Sequence, residues 1–156
     1  MGNDLSKISI LTRREIEARI AGPLIKAFME EFGQDKVLKI VSRLIKSVAR
    51  ESGRELAQRM GNNTIGDFAK GLSAWKAGGG LEIEDLELTQ SRYNFDVTRC
   101  RFADMYKELG MEDLGFVLSC SRDFDLVEGF NPRMKLFRSK TIIEGHDRCD
   151  FRITLE

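Results

Sequence analysis

The chain has 156 residues, with 25 Lys and Arg set against 25 Asp and Glu, 42% hydrophobic and 32% charged residues. The length is that of one domain, 1–156, and the composition excludes a disordered or low-complexity chain. Zero formal charge, with acids and bases mixed along the sequence, argues against a nucleic-acid partner, which needs a basic excess or stripe.

No apolar run reaches the roughly 18 residues of a membrane span, and the tail 1–11 is too polar for the apolar region of a signal peptide. A cytoplasmic protein without membrane contact is expected. Met1-Gly2 with Ser6 fits the N-myristoylation pattern formally, but Asp4 and the lack of a basic patch oppose it. The cysteines are Cys100, Cys120 and Cys149. An odd number without an export signal argues against a disulfide framework and leaves thiol chemistry or a metal site open.

Residues 12–76 read as a helical layer. Thr12 is a candidate N-cap with Glu15 at the capping-box position. Ile16, Ile20, Leu24, Phe28 and Phe32 then form an apolar stripe at helical period, which is expected to be core. Gly22-Pro23 either kinks this helix or starts a new one. A second stripe runs through Val37, Ile40, Val41, Leu44, Ile45 and Val48 and continues to Leu56 and Met60, ending at Gly61-Asn62-Asn63. Its opposite face, with Lys39, Arg43, Lys46, Arg50 and Arg54, is expected to be solvated. A shorter helix is expected from Thr64 or Ile65 to Trp75.

The period changes in 81–156. After Gly78-Gly79-Gly80, a helix-to-sheet connection, the residues 81–88 and 93–100 alternate as two strands joined at Thr89-Gln90-Ser91. Helices are expected over 101–109 and over 112–128, the latter with a break near Ser121. Strands are expected over 134–143 and 148–155. Cys149, Phe151, Ile153 and Leu155 should face one way, and Asp150, Arg152 and Thr154 the other. Helices followed by an antiparallel sheet of about four strands with helical insertions make an α+β fold.

Polar residues gather in this second half. Strict alternation puts Asn94, Asp96, Thr98 and Cys100 on one strand face. The bland reading is a solvent face with cross-strand Asp–Arg pairs, and each cysteine has a reading as a small core residue. His146, the single histidine, falls in a turn.

The segments Asn94-Phe95-Asp96-Val97-Thr98-Arg99-Cys100, Met105-Tyr106-Lys107-Glu108-Leu109-Gly110, Cys120-Ser121-Arg122-Asp123 and Glu128-Gly129-Phe130-Asn131-Pro132 resemble the L-2-amino-thiazoline-4-carboxylic acid hydrolase family. So does the ending, with Arg138, Thr141, Glu144-Gly145 and Cys149-Asp150-Phe151-Arg152. The resemblance is strongest over 92–152. It implies a hydrolase that opens a small cyclic amidine, L-2-amino-thiazoline-4-carboxylate or a relative, to a carbamoyl-cysteine.

That chemistry sets requirements. A substrate carboxylate calls for a guanidinium, from Arg152, Arg138 or Arg101. The amidinium calls for a carboxylate, from Asp96, Asp123 or Asp150. Attack calls for an activated thiol or a base for water. Cys120 is the leading nucleophile, with Arg122 and Asp123 beside it in sequence, and Cys100, Asp96 and Tyr106 complete the candidate set. No cofactor is expected. The alternative is zinc held by Cys100, Cys120, His146 and Cys149, although close CxxC pairs are lacking.

A second, architectural likeness is to the 4-vinyl-reductase domains, which bind small molecules without turnover. Expected partners are a small-molecule substrate and, as a side feature, a second copy of the chain. A third reading makes assembly through the stripe of 35–60 the main function.

Overall fold

Ser9, rather than Thr12, opens the first helix. Its hydroxyl accepts the Thr12 N–H at 3.1 Å, so the helix begins before the expected cap. The computed structural model describes residues 5–156, and the Gly2 of the acylation pattern lies outside the described residues.

Helix α1 (Ile10–Phe32) runs through Gly22-Pro23 as one element. Gly33, with φ +90°, turns the chain, and its N–H closes on the Met29 carbonyl at 3.0 Å. Helix α2 (Gln34–Met60) folds back along α1 and ends at the left-handed Gly61. The expected helix to Trp75 is divided at Leu72 into α3 (Ile65–Gly71) and α4 (Ser73–Lys76). Thr64 and Asp67 form a capping box on α3.

Strands β1 (Leu81–Leu88) and β2 (Arg92–Cys100) form the expected hairpin. The chain then leaves the sheet through α5 (Arg101–Glu108) and α6 (Glu112–Gly115). A π-helical turn follows at Phe116–Cys120, and then α7 (Arg122–Phe130). The turn is marked by the Ser121 N–H reaching back five residues to the Phe116 carbonyl at 2.8 Å. Strand β3 (Met134–Phe137) is shorter than the expected 134–143, because the Asp150 carboxylate takes the N–H groups of Ser139 and Lys140 and folds the chain out of the sheet. Strand β4 (Cys149–Leu155) inserts between β2 and β3, giving the antiparallel order β1-β2-β4-β3. The fold is α+β, as expected.

Two apolar clusters hold these layers. One lies between the sheet and α3, α7 and the second half of α2, around Phe68, Phe95, Phe130 and Ile153. The other lies between α1, the first half of α2, α5 and α6, around Ala18, Ile25, Tyr106 and Leu114. Helices α2 and α7 cross at two glycines. A Cβ on Gly53 would lie inside the Leu126 carbonyl oxygen, and one on Gly129 inside the Arg50 carbonyl oxygen, so only glycine allows this approach. The crossing holds the second half of α7, the helix whose first turn carries the candidate site residues Arg122 and Asp123.

The expected core stripe of α1 is overturned. Ile16, Ile20, Leu24, Phe28 and Phe32 are 49–63% exposed, and Ile40, Leu44 and Val48 of α2 are 45–62% exposed. Helix α1 instead buries Ala18, Gly22 and Ile25, and α2 buries Val37, Ala49, Gly53 and Leu56. Small residues face inward because the neighbouring helices approach closely, and the large apolar residues are turned outward. The basic face of α2 is solvated as expected.

A thiol-lined cavity as candidate active site

A β-bulge decides which residues of β2 reach the cavity. Ile83 pairs with Val97, but Glu82 pairs with Arg99 and Leu81 with Cys100, so Thr98 is the extra residue. Cys100 therefore joins Val97 on the inner face of the sheet, instead of sharing a face with Asp96 as strict alternation predicts. Cys149 at the start of β4 lies on that same inner face, and Cys120 arrives from the end of the π-helical turn. All three thiols line one cavity of about 80 Å³, together with Asp123, Arg138, Arg122, Arg14 and Trp75.

Each thiol has a distinct setting. The Cys100 sulfur accepts the Ala103 N–H at 3.5 Å and caps α5, and the Cys149 sulfur accepts the Ile142 N–H at 3.2 Å. Burial raises the pKa of Cys100, lifts that of Cys149 to about 11, and raises Cys120 most strongly, with the Asp123 charge adding to the effect. The three are held as neutral thiols at neutral pH, so Cys120 is not activated by its surroundings alone, although Arg122 is its near neighbour in sequence.

Asp123 and Arg138 form an ion pair at the cavity wall, the Arg138 side chain 2% exposed and the Asp123 side chain 33%. A second nitrogen of Arg138 donates to the Cys120 carbonyl at 2.9 Å, and its guanidinium lies 5.1 and 5.0 Å from the ring centroids of Phe124 and Phe151. Burial raises the Asp123 carboxyl above its usual range, and Arg138 only partly offsets this.

The other expected residues lie elsewhere. Asp96, buried on the opposite side of β2, accepts Arg152 at 2.9 Å and Arg148 at 3.1 Å. Arg152 also donates to the Phe95 and Phe151 carbonyls, so this pair clamps β2 to β4. Asp150 shapes the loop after β3. Arg101 is exposed and donates to the Gly78 carbonyl at 3.4 Å. His146 is exposed in its turn and does not line the cavity. Of the expected zinc set, the three cysteines line the cavity and His146 does not; among the described residues, no group of three His, Cys, Asp or Glu side chains is arranged to hold a metal ion.

Tyr106 is 1% exposed and lines a second, wider cavity of about 400 Å³ between α1, α2, α5 and the start of α7. Arg14 and Arg122 line both cavities. Arg14 was not anticipated. The available signal was its position four residues before Ala18, on the row of α1 that continues through Gly22 and Ile25.

A sequence model of the L-2-amino-thiazoline-4-carboxylic acid hydrolase family matches residues 13–153. No curated protein matches the chain. Two of the solved structures that match show the same fold. The phenol-responsive sensory domain of the transcription activator PoxR, solved with phenol, is 11% identical with a TM-score of 0.58, over 94% of this chain and 76% of that one. A trafficking protein particle complex subunit 3 from Naegleria fowleri, covalently bound to palmitic acid, is 13% identical with a TM-score of 0.55, over 92% of this chain and 95% of that one. At those identities the likeness concerns fold alone. With the family match extending from α1 to β4, the chain belongs to the L-2-amino-thiazoline-4-carboxylic acid hydrolase family.

Proposed function

We propose that the protein is a hydrolase that opens a small cyclic amidine, of the 2-amino-thiazoline-4-carboxylate kind, at the thiol-lined cavity. The observation that carries this reading is the meeting of Cys120, Asp123 and Arg138 at one cavity in a chain of this family. A neutral thiol needs a base within the step, and a carboxyl with a raised pKa is a better match to that task than an ordinary one.

In the proposed sequence the Cys120 sulfur attacks the amidine carbon while Asp123 takes the thiol proton. The ring C–S bond breaks, and the proton on Asp123 goes to the departing sulfur. This leaves an isothiourea between Cys120 and the opened substrate. Water then adds to the same carbon, the bond to Cys120 breaks, and the thiol is restored with release of the carbamoyl-cysteine. Arg138 holds Asp123 at the cavity wall throughout.

Mass spectrometry of L-2-amino-thiazoline-4-carboxylate incubated with the protein tests this. A gain of one water is expected, abolished in Cys120→Ala and reduced by about 10²- to 10⁴-fold in Asp123→Asn. Turnover surviving in Cys120→Ala overturns the thiol route and leaves Asp123 as a base for water. No turnover at all overturns this substrate.

The second reading, a module that holds a small molecule without turnover, is favoured by the neutral state of all three thiols and by the small size of the cavity. It predicts a retained ligand in the native mass spectrum and no reaction.

A further inference from the structure

Arg122 is 7% exposed and makes no hydrogen bond or ion pair among the described residues. Its pKa is lowered to about 10, first by burial and then by the charge of Arg14. The guanidinium is not among the sealed unpartnered atoms, so what little of Arg122 is open faces the two cavities whose wall it shares. The wider cavity adds Arg13 and Arg14 against a single acid, Glu17, which is already bonded to Arg14 at 2.6 Å. The Arg13 Nε is the one buried side-chain polar atom without a partner among the described residues. Tyr106 brings a phenol to the same cavity. Three guanidiniums facing one carboxylate leave uncompensated positive charge around a space open to a ligand.

We propose that Arg122, with Arg14, binds the carboxylate of a small organic acid whose ring reaches into the thiol-lined cavity. The identity of that ring rests on the hydrolase reading, but the anion site does not. Arg138 and Arg152 are already committed to Asp123 and Asp96, which leaves Arg122 as the free fork for bidentate recognition.

The test uses L-thiazolidine-4-carboxylate and its carboxamide. Both lack the amidine and are not turned over, and titration is followed by calorimetry and by the fluorescence of Trp75, which lines the inner cavity. The carboxylate is expected to bind at least tenfold more tightly than the amide. Arg122→Met should erase that preference without lowering Tm, because it removes an unpartnered cation, and Arg122→Lys should restore part of it. Equal affinity for the two probes, binding of neither, preference for inorganic phosphate, or an unchanged preference in Arg122→Met overturns the proposal. Arg122-dependent binding without hydrolysis of the amidine substrate keeps the anion site and removes the hydrolase. Turnover with an unchanged KM in Arg122→Met does the reverse.

A separate observation concerns the outer face of α1 and α2. The eight exposed apolar residues fall into two rows at four-residue spacing, and the groove between the rows is lined almost entirely by apolar side chains. At half exposure of side chains of about 150–200 Å² each, they offer on the order of 600–800 Å², comparable to what one partner gives a standard interface. Rows at i, i+4 spacing interdigitate with the same rows of another copy. Exposed Glu31 on α1 and exposed Lys36 on α2, which lines the groove, carry opposite charge beside them. We infer that this face pairs with a second copy of the chain.

Sedimentation of the full chain at tens of micromolar should show a dimer. Leu24→Glu and Leu44→Glu should each give a monomer with unchanged circular dichroism, while Lys46→Glu on the solvated face should not. A wild-type monomer, including one that binds phosphatidylcholine vesicles, or a dimer indifferent to both substitutions overturns the inference.

Discussion

The two sides of helix α1 invert the usual arrangement. Its outward row is made of leucine, isoleucine and phenylalanine, about half exposed, while its inward side carries Arg13 and Arg14 toward a buried Arg122. Exposed single apolar residues are ordinary, but a continuous apolar row and a mostly buried guanidinium without a protein partner both call for an explanation. They depart in opposite directions, so one explanation does not serve for both. The outward row costs little once another apolar surface covers it. The inward charge, offset in part by Glu17 and Asp123, suits an anion. The difference separates a surface suited to a protein partner from a chamber suited to a small ligand.

The sharpest way to break the inner arrangement is to create a charge that has lost its partner. Arg138 is 2% exposed and pairs with Asp123. Arg138→Met leaves that one-third-exposed carboxylate without its partner and should cost about 3 kcal/mol, read as the change in urea midpoint. The double variant Arg138→Met/Asp123→Asn should recover much of the loss. If it does not, the guanidinium acts through its stacking on Phe124 and Phe151, and the pair is not what holds the cavity wall.

The next effect tests the scaffold common to both regions. Gly129→Ala puts a methyl group into the Arg50 carbonyl oxygen at the crossing of α2 and α7. Overpacking against backbone should cost about 3 kcal/mol, lowering Tm by about 6–12 °C in a chain of this length. Because α7 carries Arg122 and Asp123, turnover should fall along with stability. A stability loss without loss of turnover would mean that the site tolerates movement of α7.

The fold was legible because it is written in period. The change from helical spacing to alternation near Gly80 placed the sheet, and the last strand's inner residues Cys149, Phe151 and Ile153 were read correctly. Period could not say which side of α1 faces in. The large apolar row has the stronger amphipathic signal, but close helix packing selected Ala18 and Gly22 instead. Likewise, alternation misplaced Cys100 because one bulge residue, Thr98, leaves no mark in composition. Of the nine expected catalytic and substrate-binding residues, Cys100, Cys120, Asp123 and Arg138 meet at the inner cavity, and Tyr106 lies in the adjoining one. Asp96, Asp150, Arg101 and Arg152 line neither cavity. Their partners come from segments distant in sequence, such as Arg152 crossing to Asp96 between strands.

The smallest expected effect separates the two kinds of acid near the site. Burial pushes the Asp123 carboxyl above its usual value, whereas in Asp150 partial burial is outweighed by the hydrogen bonds from Ser139 and Lys140, which hold it below. A carboxyl with a depressed folded pKa stabilises the fold fully above its unfolded value of about 4, and that contribution is lost as pH falls through the folded value. Asp150→Asn keeps an oxygen for the two N–H groups but loses the charge, so at neutral pH it should cost about 1 kcal/mol. The difference from wild type should shrink as pH drops below about 4, because the wild-type carboxyl is then neutral too. Urea titrations of both proteins across that range measure it. A cost that persists at low pH would assign Asp150 a role in loop geometry alone. An acid limb in the pH–rate profile above the ordinary carboxylate range, unchanged in Asp150→Asn, would then belong to Asp123.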